Sequence, residues 1–156
     1  MTPEQLMRQA IARSRQNIDD NLGGPFAALV VREGEIIATG TNRVTSDNDP
    51  TAHAEMVAIR RACAKLGRFH LHGCDLYTSC EPCPMCLGAI YWAHLDRIYY
   101  ANTRDDAAQI GFDDALIYKE LNAPLDNRQI PTVQLLAEEA ISVFEAWEAK
   151  VDKIRY

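Results

Sequence analysis

The chain runs to 156 residues, 47% hydrophobic and 24% charged, with a formal net charge of −6. These values suit one folded domain without repeats or low-complexity tracts, and they exclude a disordered or fibrous protein. The acidic balance offers no long-range attraction for phosphate backbones, so no nucleic-acid partner is expected, although a local basic strip stays open.

The start, Met1-Thr2-Pro3-Glu4-Gln5, lacks the basic-then-apolar pattern of a secretory signal, and the apolar runs fall short of a membrane span. A soluble, cytoplasmic protein with no membrane partner is the expectation. Three of the five cysteines crowd into Cys80–Cys86, which suits thiolates on a metal better than a dispersed extracellular disulfide framework.

Thr2 and Gln5 resemble a capping box with Pro3 at the first helical position, and Met7, Ile11 and Ile18 recur at helical spacing, predicting a helix to about Asp20. Gly23-Gly24-Pro25 ends it. Phe26 to Val31 and Glu35 to Thr39 are predicted strands joined by a turn around Gly34. The polar run Thr45 to Thr51 reads as a loop ending in a helix start, after which Met56, Ile59, Cys63 and Leu66 mark an apolar stripe. A strand from about Asp75 to Ser79, a helix from Pro84 to about Ala93 and a strand from Arg97 to Ala101 follow. This alternation predicts parallel strands with helical crossovers. Asp105 to Glu120 is helix-prone but interrupted by Gly111, and Thr132 to Ala137 reads as a last strand. The closing helix carries Phe144, Trp147, Val151 and Ile154 on one face, open between core packing and a subunit contact.

The chemistry lies in His53-Ala54-Glu55 and, a helix and a strand later, Pro82-Cys83-Pro84-Met85-Cys86. His53 and Glu55 would point about 200° apart in mid-helix, since each residue turns roughly 100°. At a first turn aimed end-on at a metal they can share one space. Cys83 and Cys86 are neighbours on a helical face, and the positive end of a helix favours their thiolates. One neutral imidazole and two thiolates neutralise Zn²⁺ and leave the fourth tetrahedral position for water, with Glu55 as proton carrier.

A sealed site of His53, Cys80, Cys83 and Cys86 would instead make a structural-zinc interaction module with Glu55 as a solvated carboxylate. A redox Cys-x-x-Cys pair and an iron–sulfur cluster fit less well, given the histidine motif and the lack of a fourth cysteine after Cys86. Cys63, His70, His72, Cys74 and His94 read as structural.

His-x-Glu followed by Pro-Cys-x-x-Cys is the signature of zinc-dependent nucleobase deaminases. With Gly23-Gly24-Pro25-Phe26, Asn48 to Glu55, Ser79 to Ala93 and Gly111-Phe112-Asp113-Asp114, the chain resembles the cytidine deaminase superfamily and, within it, the small bacterial guanine deaminases. The resemblance implies an α/β/α three-layer sandwich on a five-stranded mixed sheet. It also implies a homodimer exchanging a C-terminal segment of about 138–156, and hydrolysis of guanine to xanthine and ammonia. By the same likeness His53, Cys83 and Cys86 hold zinc and Glu55 shuttles the proton. Asn42 hydrogen-bonds the purine base between Phe26 and Phe112, Trp92 joins the substrate contacts, Asp114 meets the exocyclic amine, and Tyr156 comes from the partner chain. A tRNA adenosine deaminase and a cytosine-type deaminase are the enzymatic alternatives.

Overall fold

The structure is a computed structural model that describes residues Met1–Tyr156. It divides into two compact units, Met1–Asp114 and Ala115–Tyr156.

The first unit opens with helix α1 (Pro3–Asp19), and its capping box is present: Gln5 N–H donates to Thr2 Oγ1 at 3.2 Å and Thr2 N–H to Gln5 Oε1 at 2.9 Å. Leu6, Ala10 and Asn17 form its buried face. Ile11 and Ile18, expected in the stripe, are 47% and 40% exposed and line a cavity of about 400 Å³ with Pro25, Phe26 and Ile110. The helical period therefore held while the buried face sits a step away from the bulkiest residues.

Strands β1 (Ala27–Arg32) and β2 (Glu35–Thr41) form the expected hairpin, turning at Gly34 with φ 78°. A short helix α2 (Val44–Asp47) occupies part of the predicted loop. Then come α3 (Ala54–Leu66), β3 (Asp75–Cys80), α4 (Pro84–Trp92), β4 (Arg97–Asn102) and α5 (Arg104–Gln109). Helix α3 buries small residues, Ala54, Ala58 and Ala62 with Val57 and Ile59, while Met56, Cys63 and Leu66 are only partly covered. Small side chains let the helix lie close on the sheet. At Gly40 of β2 an added Cβ would fall 2.2 Å from Ala54 O and 2.5 Å from Ala58 N, so only glycine permits that approach.

The sheet has four strands in the order β2-β1-β3-β4, which corrects the expected five. Residues 132–136 form no strand ladder: Leu136 turns into the left-handed region at φ 53° and α7 takes over at Ala137, which corrects the strand expected there. β3 and β4 are parallel, joined across α4, as predicted. β1, however, pairs antiparallel with both β2 and β3, because the hairpin inserts it between two strands that α3 connects. The core of this unit lies between the sheet and α3 and α4, around Val30, Ile59, Leu71, Leu76 and Ile90. A smaller cluster of Leu6, Ala10, Leu29, Val31 and Tyr77 packs α1 on the other sheet face.

The second unit contains α6 (Ala115–Asn122), one 3-10 turn (Leu125–Asn127) and α7 (Ala137–Ala149), none with a buried residue. Helix α7 ends before Val151 and Ile154, so the predicted long stripe is cut to Phe144 and Trp147 on the helix and two residues beyond it. The helix-prone stretch splits where Gly111 takes φ 94°. No helix is long and apolar enough to cross a membrane.

Candidate active site

His53 and Cys83 both stand at helix N-caps, of α3 and α4, with extended backbone and no side-chain capping bond. Asp49 prepares the first cap by accepting Thr51 N–H (2.8 Å) and Thr51 Oγ1–H (2.7 Å). Pro84 opens α4, where its missing N–H costs nothing. Cys86 follows one turn in, fully buried. The sequence thus places ligands on the termini of two helices, with side chains free of capping duty.

His53 Nδ1 lies 3.5 Å from Cys83 Sγ and 3.6 Å from Cys86 Sγ, and the three ligand atoms fall within 4.8 Å of one another. A nitrogen and a sulfur bound to one tetrahedral zinc at ~2.05 and ~2.3 Å stand ~3.6 Å apart. The donor set therefore fits zinc in both chemistry and spacing. Cys83 is held down to about 4 by the hydrogen bond from Cys86 and by His53, whereas Cys86 is pushed up by bonding to Cys83 and by burial. His53 is raised through its bond to Cys83. Such a proton-sharing nest releases its protons to solvent when a dication binds the ligand lone pairs.

Cys80 does not join the group: its thiol faces Thr103 O at 3.6 Å and is pushed up to about 11, mainly by burial. The four-ligand sealed site is thereby disfavoured. His70, His72 and His94 form a stack with ring centroids 5.0 and 4.8 Å apart and contribute no ligand to the group.

Glu55 is 6% exposed, and burial pushes its carboxyl above the ordinary carboxylate range. Cys86 Sγ lies 3.5 Å from Oε2, its one hydrogen shared between this oxygen and Cys83, and Thr78 Oγ1 lies 3.4 Å from Oε1. Thr78 has one hydroxyl hydrogen, and Cys80 O at 3.0 Å is the nearer acceptor, so toward Glu55 the Thr78 oxygen is also free to accept a hydrogen bond whenever the carboxyl is protonated. Thr78 is buried on β3 and was invisible to sequence reading, because only the fold sets it opposite Glu55.

Asn42, 6% exposed at the end of β2, accepts Gly24 N–H (3.2 Å) and Val44 N–H (3.3 Å) at Oδ1. These bonds fix the carbonyl end of the amide. Phe26 and Phe112 meet edge to face at 4.9 Å, over Gly24, where a Cβ would crowd both rings. Asp114 is half-buried, and burial, with the Cys83 charge adding, pushes its carboxyl up. Trp92 closes α4 at its far end, on the order of 13 Å along the axis from Cys83, and is 68% exposed. The structure does not bring it to the metal group. Tyr156 lies in the second unit, 79% exposed.

A hydrophobic sheet flanked by helices whose N-termini converge three soft ligands beside a buried carboxyl defines a zinc-dependent hydrolytic deaminase. The chain belongs to the cytidine and deoxycytidylate deaminase family, whose zinc-binding region matches residues 1–102. It is 49% identical to the guanine deaminase of Bacillus subtilis (strain 168) over 156 residues, the full length of both chains. The crystal structure of a Bacillus subtilis guanine deaminase superimposes with a TM-score of 0.97, covering 100% of this chain and 99% of that one. A guanine deaminase structure from Nitrosomonas europaea, 41% identical, gives 0.68 over 73% of this chain and 66% of its own. The tRNA-specific adenosine deaminase of Aquifex aeolicus is 44% identical over 77 residues, 49% of this chain and 51% of the relative.

Proposed function

We propose that this protein catalyses the zinc-dependent hydrolytic deamination of guanine to xanthine and ammonia. The carrying observation is the 3.5 and 3.6 Å spacing of His53 Nδ1 from two sulfurs beside a buried Glu55, in a chain similar along its whole length to a guanine deaminase. Bound by His53, Cys83 and Cys86, zinc supplies a strong nucleophile at neutral pH by acidifying water.

Glu55 takes the water's proton and passes it to the ring nitrogen beside C2, a task suited to a carboxyl that burial raises above its ordinary range. Thr78 holds that carboxyl in place. Asn42 offers its Nδ2–H to an acceptor on the base, while Phe26 and Phe112 cover the ring. Asp114, itself raised, meets the exocyclic amine and protonates it as the C2–N bond breaks, so that it leaves as ammonia, while Glu55 takes the C2 hydroxyl's proton as C2=O forms and the two carboxyls return to their starting states through solvent. The segment of about 138–156 is assigned to exchange within a homodimer, with Tyr156 closing the neighbouring subunit's pocket; the exposed apolar face of α7 supports this reading.

The test is ammonia release by purified zinc-loaded protein from guanine, cytosine and an adenosine in an anticodon stem-loop. Guanine turnover with xanthine as product is expected. Turnover of cytosine or of the stem-loop, with guanine inert, overturns the substrate while leaving the hydrolytic chemistry standing.

A further inference from the structure

We infer that Asn17 is a positioning residue for base recognition, acting through Asn42. The inference rests on the reading that Asn42 binds the base.

Asn17 lies on the inward face of α1 and is 2% exposed, beside the apolar Leu6 and Ala10. Its Nδ2 uses both hydrogens, donating to Gly24 O at 2.8 Å and to Asn42 O at 3.0 Å. Gly24 N–H returns to Asn42 Oδ1, so the three residues close a ring of hydrogen bonds that takes in both the main-chain carbonyl and the side-chain amide of Asn42. At Gly23 an added Cβ would fall 2.3 Å from Asn42 O, which shows how tightly the glycine turn lies on that residue. Asn42 N–H donates to Phe26 O at 3.0 Å, so the same ring carries the aromatic lid.

Asn17 Nδ2 thereby ties the main-chain carbonyls of Gly24 and Asn42 to one buried side chain of α1, so the glycine turn and the end of β2 keep a fixed relation to each other.

The experiment uses full-length zinc-loaded protein with Asn17→Leu, Asn17→Ala, Asn42→Ala and the corresponding double variants. Both substitutions at Asn17 remove the double donor without burying a charge, and the smaller Ala serves if Leu fails to fold. The expected result is a fall in kcat/KM for guanine of about 10²-fold, carried mainly by KM, with zinc content unchanged. In the Asn42→Ala background the same Asn17 changes should cost less than about threefold, because the partner through which they act is gone. Equal losses in both backgrounds would show an independent structural role and overturn the inference. So would wild-type kinetics for the Asn17 variants beside an impaired Asn42→Ala. An Asn42→Ala enzyme with normal guanine kinetics overturns the base-binding reading itself.

Discussion

Glu55 sits within hydrogen-bond reach of Cys86 and Thr78 yet is no part of the ligand triangle, so its charge and its metal can be separated experimentally. Glu55→Gln should keep one zinc per chain by elemental analysis while guanine turnover falls by several powers of ten. Cys80→Ala makes the complementary case. Its thiol is committed to the Thr103 carbonyl, so the variant should retain zinc, whereas a four-ligand site would lose it. His53, Glu55, Cys83 and Cys86 were legible in sequence because their spacing is dictated by ligand chemistry at helix starts. Thr78 and Asn17 were not, since a threonine in a strand and an asparagine in a helix carry no mark of what lies across the fold.

At the level of elements, the site depends on how closely α3 lies on β2. Gly40→Ala places a methyl against the backbone of Ala54 and Ala58, which cannot swing aside as a side chain would. It should destabilise the protein by about 1–3 kcal/mol in denaturant titration and lower zinc occupancy through a displaced His53. Helix α5 begins with a Thr103–Asp106 capping box, and the Thr103 N–H, followed by its hydroxyl, holds the exposed Asp106 carboxyl below its ordinary 3.8. A depressed carboxylate contributes stability that is complete above the unfolded value and disappears as pH falls through the folded one. The protection of the Thr103 amide relative to its intrinsic exchange rate should therefore hold at pH 5 and fall only below the ordinary aspartate range. Most helices and strands were readable from caps, glycines and periodicity. The antiparallel insertion of β1 was not, because alternation along the chain says nothing about which strand a hairpin pushes between two others.

For the molecule as a whole, the second unit sets the terms. Leu135, Phe144 and Val143 are 77%, 72% and 66% exposed, more apolar surface than a solitary chain comfortably shows to water. If the proposed homodimer forms through this face, Phe144→Glu should shift the protein toward monomer in sedimentation velocity, and guanine turnover should fall with the dimer fraction while zinc stays bound. The sequence carried the amphipathic pattern of this region but could not say what would cover it. For the same reason Thr132 to Ala137 reads as a strand and yet has no ladder partner within the chain.

The helix starts at His53 and Cys83 carry a further consequence. Each lacks the hydroxyl or amide oxygen that usually ties down a first turn, and in each the residue that should do so is given over to the ion. Loss of metal would leave two helix ends loose together, and a chelator should lower the melting temperature and hasten exchange at both. The ion is thus also a clasp, and the cell's zinc supply becomes a term in how long this chain stays folded.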